Sequence, residues 1–281
     1  MKQHKLLSLS EISTVGASFR EDLRAYASAG FDGIGIWEMK LGDDAADLEA
    51  LRASGLRATN CVPAVPSILP NAVIEGPADV NERIEALCAS MHRLARYEPE
   101  SVLCLTGATA ALSVETTQSF PARRAVIEGL KRVAAAADEA AVRLGLEPVH
   151  ASQRQALSIV STIPEALDLL EEADLPQVGV MVDLWHVWDT AEVERHLRAN
   201  VDRITGVHVA DWFPDGRPGR ALPGEGVSRT RELVATLADA GWTGSWDVEI
   251  FGDPESPDSF WALPVEEAAR RAYDAAVGAV P

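Results

Sequence analysis

Cysteine is scarce in this chain: Cys61, Cys88 and Cys104 are all there is in 281 residues. Three scattered thiols cannot form a disulfide framework or a cysteine-ligated zinc site, and their apolar surroundings read as core, which fits a reducing cytoplasm. Basic residues are also few, with 25 Lys and Arg against 43 Asp and Glu and a net charge of −18. Nucleic acids and anionic membranes attract clustered Lys and Arg, so neither is an expected partner. No uncharged apolar run is long enough to cross a bilayer, and the short run at Leu6-Leu7, followed closely by Glu11, lacks the apolar region of a signal peptide. No G-x-G-x-x-G turn or G-x-x-x-x-G-K-S/T loop follows the first apolar run, which counts against an open, doubly wound nucleotide-binding sheet.

What is present is a core-forming composition, 47% hydrophobic, arranged as short β-rich runs alternating with longer amphipathic ones. Strand-like runs read at Leu6–Leu9, Gly33–Trp37, Ala58–Val62, Ser101–Thr106, Leu146–His150, Gly179–Leu184, Ile204–Val209 and Gly244–Ile250. Helical patterns fill the intervals, as at Ser18–Ala29 and Asp44–Ser54. One opens at Pro121-Ala122 and runs towards Gly145 as a C-cap, and another opens at Pro164. Strands each followed by a helix predict an α/β fold, a (β/α)8 TIM barrel, with residues 1–281 forming one domain and no linker or repeat dividing them.

The active site of such a barrel lies at the C-terminal ends of its strands. Four strands of the second half place acids or histidines there: Glu147 and His150, Asp183 and His186, His208, and Glu249. Three carboxylates converging on one barrel mouth would repel one another and would be costly to bury, and a divalent cation resolves both problems. Glu147, Asp183, His208 and Glu249 offer three carboxylates and an imidazole, a hard donor set that suits Mn²⁺, placed first, or Mg²⁺, Co²⁺ or Zn²⁺. Taken singly, Asp183 could instead cap a following helix, and Glu147 could pair with Arg143 or Arg154.

At these residues the chain resembles the xylose isomerase-like TIM barrel superfamily, in its sugar phosphate isomerase/epimerase branch, from Leu6 to about Tyr273. The matching features are Glu147, the D-x-x-H segment Asp183 to His186, His208, Glu249, and the loop Arg220-Ala221-Leu222-Pro223-Gly224-Glu225-Gly226. The resemblance implies one divalent metal on Glu147, Asp183, His208 and Glu249. It makes Glu147 and Glu249 the acid/base pair that removes and returns a proton next to a polarised carbonyl, through an enediolate. His186 and Arg220 would bind the substrate and stabilise its developing oxyanion.

The implied activity is isomerisation or epimerisation of a keto-sugar or cyclitol. The alternative within the family is a lyase acting on an inosose, dehydroshikimate or a 3-keto-glycoside, in which His150 could handle the leaving group. Tryptophans crowd the strand ends, and Trp37 and Trp185 are expected to offer indole faces to the substrate ring. Apurinic endonucleases of the superfamily use further histidines on the second and third strands, but Ile34-Gly35-Ile36-Trp37-Glu38 and Thr59-Asn60-Cys61-Val62-Pro63 contain none. A non-catalytic sugar-binding barrel would be expected to have lost a ligand, and all four are present. A homo-oligomer or a partner subunit, as in the glycoside-cleaving relatives, stays open.

Overall fold

The computed structural model describes residues 5–108 and 119–281, so the reading of residues 1–4 as part of a leaderless N-terminus lies outside the described residues. Nine short strands alternate with helices: β1 (Leu7–Ser10), β2 (Gly33–Gly35), β3 (Arg57–Ala58), β4 (Asn60–Cys61), β5 (Ser101–Cys104), β6 (Leu144–Leu146), β7 (Gly179–Asp183), β8 (Ile204–Val209) and β9 (Trp246–Val248). All neighbours are parallel, in the order β3-β2-β1-β9-β8-β7-β6-β5-β4. The expected third strand is split, because Thr59 separates β3 from β4. Thr59 still bonds on both sides, donating its N–H to the Ile34 carbonyl at 2.9 Å and accepting from the Ser101 N–H at 3.3 Å. The ring of eight strand positions therefore closes through one residue, and the chain forms a TIM barrel.

Among the described residues ten α-helices lie between or after the strands: α1 (Phe19–Ala29), α2 (Asp44–Ser54), α3 (Val80–Ala95), α4 (Ser119–Ala140), α5 (Arg154–Leu157), α6 (Ile163–Glu172), α7 (Leu184–Val187), α8 (Val193–Ala199), α9 (Thr230–Asp239) and α10 (Val265–Ala279). Local chemistry sets their ends. Ser18 and Glu21 form a capping box on α1, and Thr162 caps α6, with Pro164 in its first turn. α4 stops at Ala140, short of the expected cap at Gly145, and Ala141 takes the left-handed turn with φ of 56°. Gly145 instead lies in β6, where an added Cβ would meet the Met181 Cβ at 3.1 Å and the Thr205 hydroxyl closer still. Its smallness makes room inside the barrel rather than ending a helix.

Alternation along the strands separates two interiors. Leu7 and Leu9 of β1 join Leu23 and Tyr26 of α1 and Ala272 of α10 in the main apolar cluster between barrel and helices. Ser8 and Ser10, between and beyond them, are buried but outside that cluster, on the lumen side. Polar side chains bridge the lumen: Asn60 donates its amide to the Val207 carbonyl at 3.2 Å and accepts from the Ser101 hydroxyl at 2.9 Å. Among the described residues no helix is long and apolar enough to cross a membrane.

Candidate metal and active site

Strand register brings the acids together. Asp183, the last residue of β7, is the direct partner of His208 on β8. Glu147 follows β6 and extends its ladder by donating its N–H to the Cys104 carbonyl at 3.0 Å. Glu249 follows β9 in the same way, bonded to the Val209 carbonyl at 3.2 Å. All four side chains are buried at the C-terminal end of the barrel.

One atom each from Glu147, Asp183 and His208 lies within 4.8 Å of the others. His208 Nδ1 lies 3.5 Å from Glu147 Oε1 and 3.6 Å from Glu249 Oε2. Glu147 Oε1, Asp183 Oδ2 and both ring nitrogens of His208 are buried without a hydrogen-bond partner. Buried polar atoms are normally satisfied, so Glu147 Oε1 and the two His208 nitrogens, unsatisfied beside an Asp183 Oδ2 that is ion-paired to Arg220, form a set of oxygen and imidazole donors that fits a divalent cation. Neither Arg143 nor Arg154 pairs with Glu147: the first donates to the Ile204 carbonyl, and the second bonds Glu165 and the Ile159 carbonyl. Asp183 does cap the following helix, Oδ1 accepting from the Trp185 N–H at 2.9 Å to start α7, while Oδ2 faces the cluster.

Arg220 faces the same carboxylates. Its Nη1 lies 2.8 Å from Asp183 Oδ2 and 2.8 Å from Glu249 Oε2, and its guanidinium carbon sits 4.8 Å from the Trp185 ring centroid and 4.5 Å from that of Phe251. A guanidinium held between two rings and two carboxylates is fixed in place. The loop carrying it hangs on Asp211, which exchanges backbone hydrogen bonds with Ala221 at 2.8 and 2.9 Å. The buried Asp211 carboxylate also accepts from the N–H groups of Trp212, Gly224 and Ser228. In the sequence Asp211 stands two residues past the run Ile204–Val209 with nothing to mark it; its role appears once the loop folds back on it.

His186 is oriented from behind. The His150 N–H donates to His186 Nδ1 at 3.1 Å, which turns Nε2 to the site, 3.4 Å from Arg220 Nη2 and 3.6 Å from Asp183 Oδ2. Burial, outweighing Asp183 and aided by Arg220, pushes the His186 pKa down to about 3, so the ring is neutral. The His150 ring bonds Ser152 at 2.8 Å and Asp189 at 3.2 Å and packs against Trp212, outside the cavity lining. Trp185 lines the cavity and stacks on Trp212 with centroids 4.5 Å apart. Trp37 is not in the lining; its N–H donates to Glu11.

Burial dominates the other titrations. It pushes the Glu147 pKa up to about 7 against the lowering pull of His208. Burial alone would depress the His208 imidazolium, but Glu249, Glu147 and Asp247 outweigh it and raise the pKa to about 10. Asp183 moves the other way: burial would raise it, yet Arg220, His186 and His208 hold it below the usual carboxylate range. Asp247, one position below Glu249 in the lumen and held by Thr59, is pushed by burial up to about 7.

The cavity beside these groups measures about 170 Å³, which suits a monosaccharide-sized molecule rather than an oligosaccharide. Over 164 residues the chain is 26% identical to an inosose isomerase of Halalkalibacterium halodurans, 56% of this chain and 55% of that protein. Over 157 residues it is 26% identical to a D-psicose 3-epimerase of Enterocloster bolteae, 54% of this chain and 49% of that protein. The matches thus span about half the length of these curated relatives. The crystal structure of the IOLI protein, described with a binding zinc atom, superimposes with a TM-score of 0.77 at 20% identity, covering 98% of this chain and 97% of that one. The model of the xylose isomerase-like TIM barrel family matches residues 23–275, and the chain belongs to that family.

Proposed function

We propose that the protein is a divalent-metal-dependent isomerase or epimerase of a keto-sugar or cyclitol. The observation that carries this reading is the convergence of Glu147, Asp183 and His208, with unsatisfied buried donor atoms, beside a second carboxylate, Glu249, and an arginine. The names of the two matched relatives, an isomerase of an inosose and an epimerase of a ketose, support it.

Glu147, Asp183, His208 and Glu249 would hold the cation, which when bound supplies Lewis-acid polarisation of a substrate carbonyl. Glu147 and Glu249 flank the His208 ring nitrogen, so a carbon bound between them has a carboxylate on either side. One removes and keeps the proton next to the carbonyl, and the other, entering the turnover protonated, gives its own proton to the opposite face, inverting that centre and leaving the pair to be reset through solvent. Giving a proton to the former carbonyl carbon, while the neighbouring hydroxyl loses its own, moves the carbonyl instead. Arg220 neutralises the oxygen that gains charge, and His186 Nε2 orients a substrate hydroxyl.

The test is proton NMR in D₂O of the Mn²⁺-reconstituted protein with a ketohexose and an inosose. Deuterium entering beside the carbonyl together with an epimer or isomer is the expected result. Exchange with loss of a group and formation of an unsaturated ketone would move the assignment to a lyase, and no exchange with either substrate would overturn it.

A further inference from the structure

The lumen holds a second, smaller apolar cluster separate from the main core. Leu103, Leu105, Val149 and Met181 form it, with Leu157 packed against them. It belongs to β5, the segment after β6, and β7. In the strand order β5 stands four positions from β9, half-way round the eight-position ring, so Leu105 after β5 faces across the mouth towards Glu249 after β9. Leu103, Leu105, Val149 and Leu157 line the same cavity as Glu147, His186, Arg220 and Glu249. Among the described residues Gln153 is the one polar lining side chain outside that charged and histidine group.

A site for a fully hydroxylated ring needs donors and acceptors on every side, because each hydroxyl pressed against aliphatic carbon loses its water without replacement. That loss costs roughly tenfold or more in affinity per group. Here, among the described residues, the charged and histidine partners come from the ends of β6, β7 and β9 and the loop carrying Arg220, while the lining on the side of β5 and of the turn after β6 is mostly aliphatic. The lining therefore matches a molecule with two unlike edges.

We propose that the substrate is a deoxygenated keto-sugar or cyclitol, with a hydroxyketone edge turned to Glu147, Glu249, His186 and Arg220 and an edge free of hydroxyls packed on Leu103, Leu105, Val149 and Leu157. This rests on the isomerase reading for the hydroxyketone edge and adds the identity of the other edge.

The test is calorimetric binding of two probes to the Mn²⁺-reconstituted protein: 2-hydroxycyclohexanone, and 2-inosose, which carries the same hydroxyketone on a ring hydroxylated throughout. The expected result is a Kd at least about tenfold lower for 2-hydroxycyclohexanone, with the preference reduced about tenfold in Leu105→Asn. Equal binding, or a preference for the inosose, would overturn the inference while leaving the hydroxyketone site standing. An unchanged preference in a folded Leu105→Asn would overturn the role of this side of the lining. Binding of neither probe would overturn the isomerase reading and the inference with it. The comparison of the two probes on the unaltered protein does not depend on any variant folding.

Discussion

Asp183 and His208 stand side by side in register on β7 and β8, yet no hydrogen bond joins the groups they turn into the lumen. Asp183 Oδ2 has an ion pair with Arg220 and a distant contact with His186, and both His208 nitrogens are unsatisfied. Two strongly polar buried neighbours normally bond to each other or to a third group. A cation bound by both, as proposed above, would satisfy them together.

Glu147→Gln and Glu249→Gln keep volume and hydrogen-bonding capacity but remove the basic oxygen. Each is expected to lower kcat by about 10² to 10⁴, the range of a lost acid/base group, with the far-ultraviolet circular dichroism unchanged. Epimerisation rates of the two variants check this. Full activity in either would remove that glutamate from proton transfer.

Arg220→Ala is expected to lower kcat/KM by about 10²-fold, with Arg220→Lys recovering little of it. A lysine ammonium cannot lie flat between Trp185 and Phe251 while reaching Asp183 and Glu249 at once. Steady-state kinetics of both variants decide it, and full rescue by lysine would reduce the role of Arg220 to its charge.

Asp211→Ala tests whether the loop itself positions Arg220. Its carboxylate gathers three backbone N–H groups and the Ser228 hydroxyl, so the variant leaves several buried donors unpaired. The expected outcome is a lower Tm and a lower kcat/KM, with Mn²⁺ affinity retained because no metal ligand has changed. A loss of Mn²⁺ affinity as large as the loss of kcat/KM would mean that Asp211 supports the whole barrel mouth.

The barrel was legible because strand and helix periods alternate, and the candidate ligands because an acid or histidine interrupts an apolar run at the ends of four strands. Glu147, Asp183, His208, Glu249, His186 and Arg220 do converge. Three features escaped the sequence for physical reasons. Thr59 splits a strand without breaking the hydrogen-bond ring, which depends on pairing with both neighbours. Gly145 reads as a helix cap in one dimension, but the lumen opposite Met181 is what requires it. His150 is spaced like a site residue, while its N–H, rather than its ring, reaches the site by fixing His186.

Metal binding is expected to strengthen with pH and to release protons. In the metal-free protein the His208 pKa is raised from 6.5 to about 10 and that of Glu147 from 4.5 to about 7, so folding favours the proton-bound form of each. Their contributions to stability are fully present below the unfolded values and fade as pH rises, through about 7 for Glu147 and about 10 for His208. His186 runs oppositely: its pKa is lowered from 6.5 to about 3, so its contribution is present above 6.5 and fades as pH falls through about 3. A cation must take its ligands deprotonated and therefore competes with the His208 and Glu147 protons. Calorimetry of Mn²⁺ binding at about pH 7.5, in buffers of different ionisation enthalpy, should show about one proton released, mainly from His208. The Tm of chelator-treated protein should fall between about pH 7 and 10, and that of the Mn²⁺-loaded protein should fall less. Binding without proton release would mean that His208 is not a ligand.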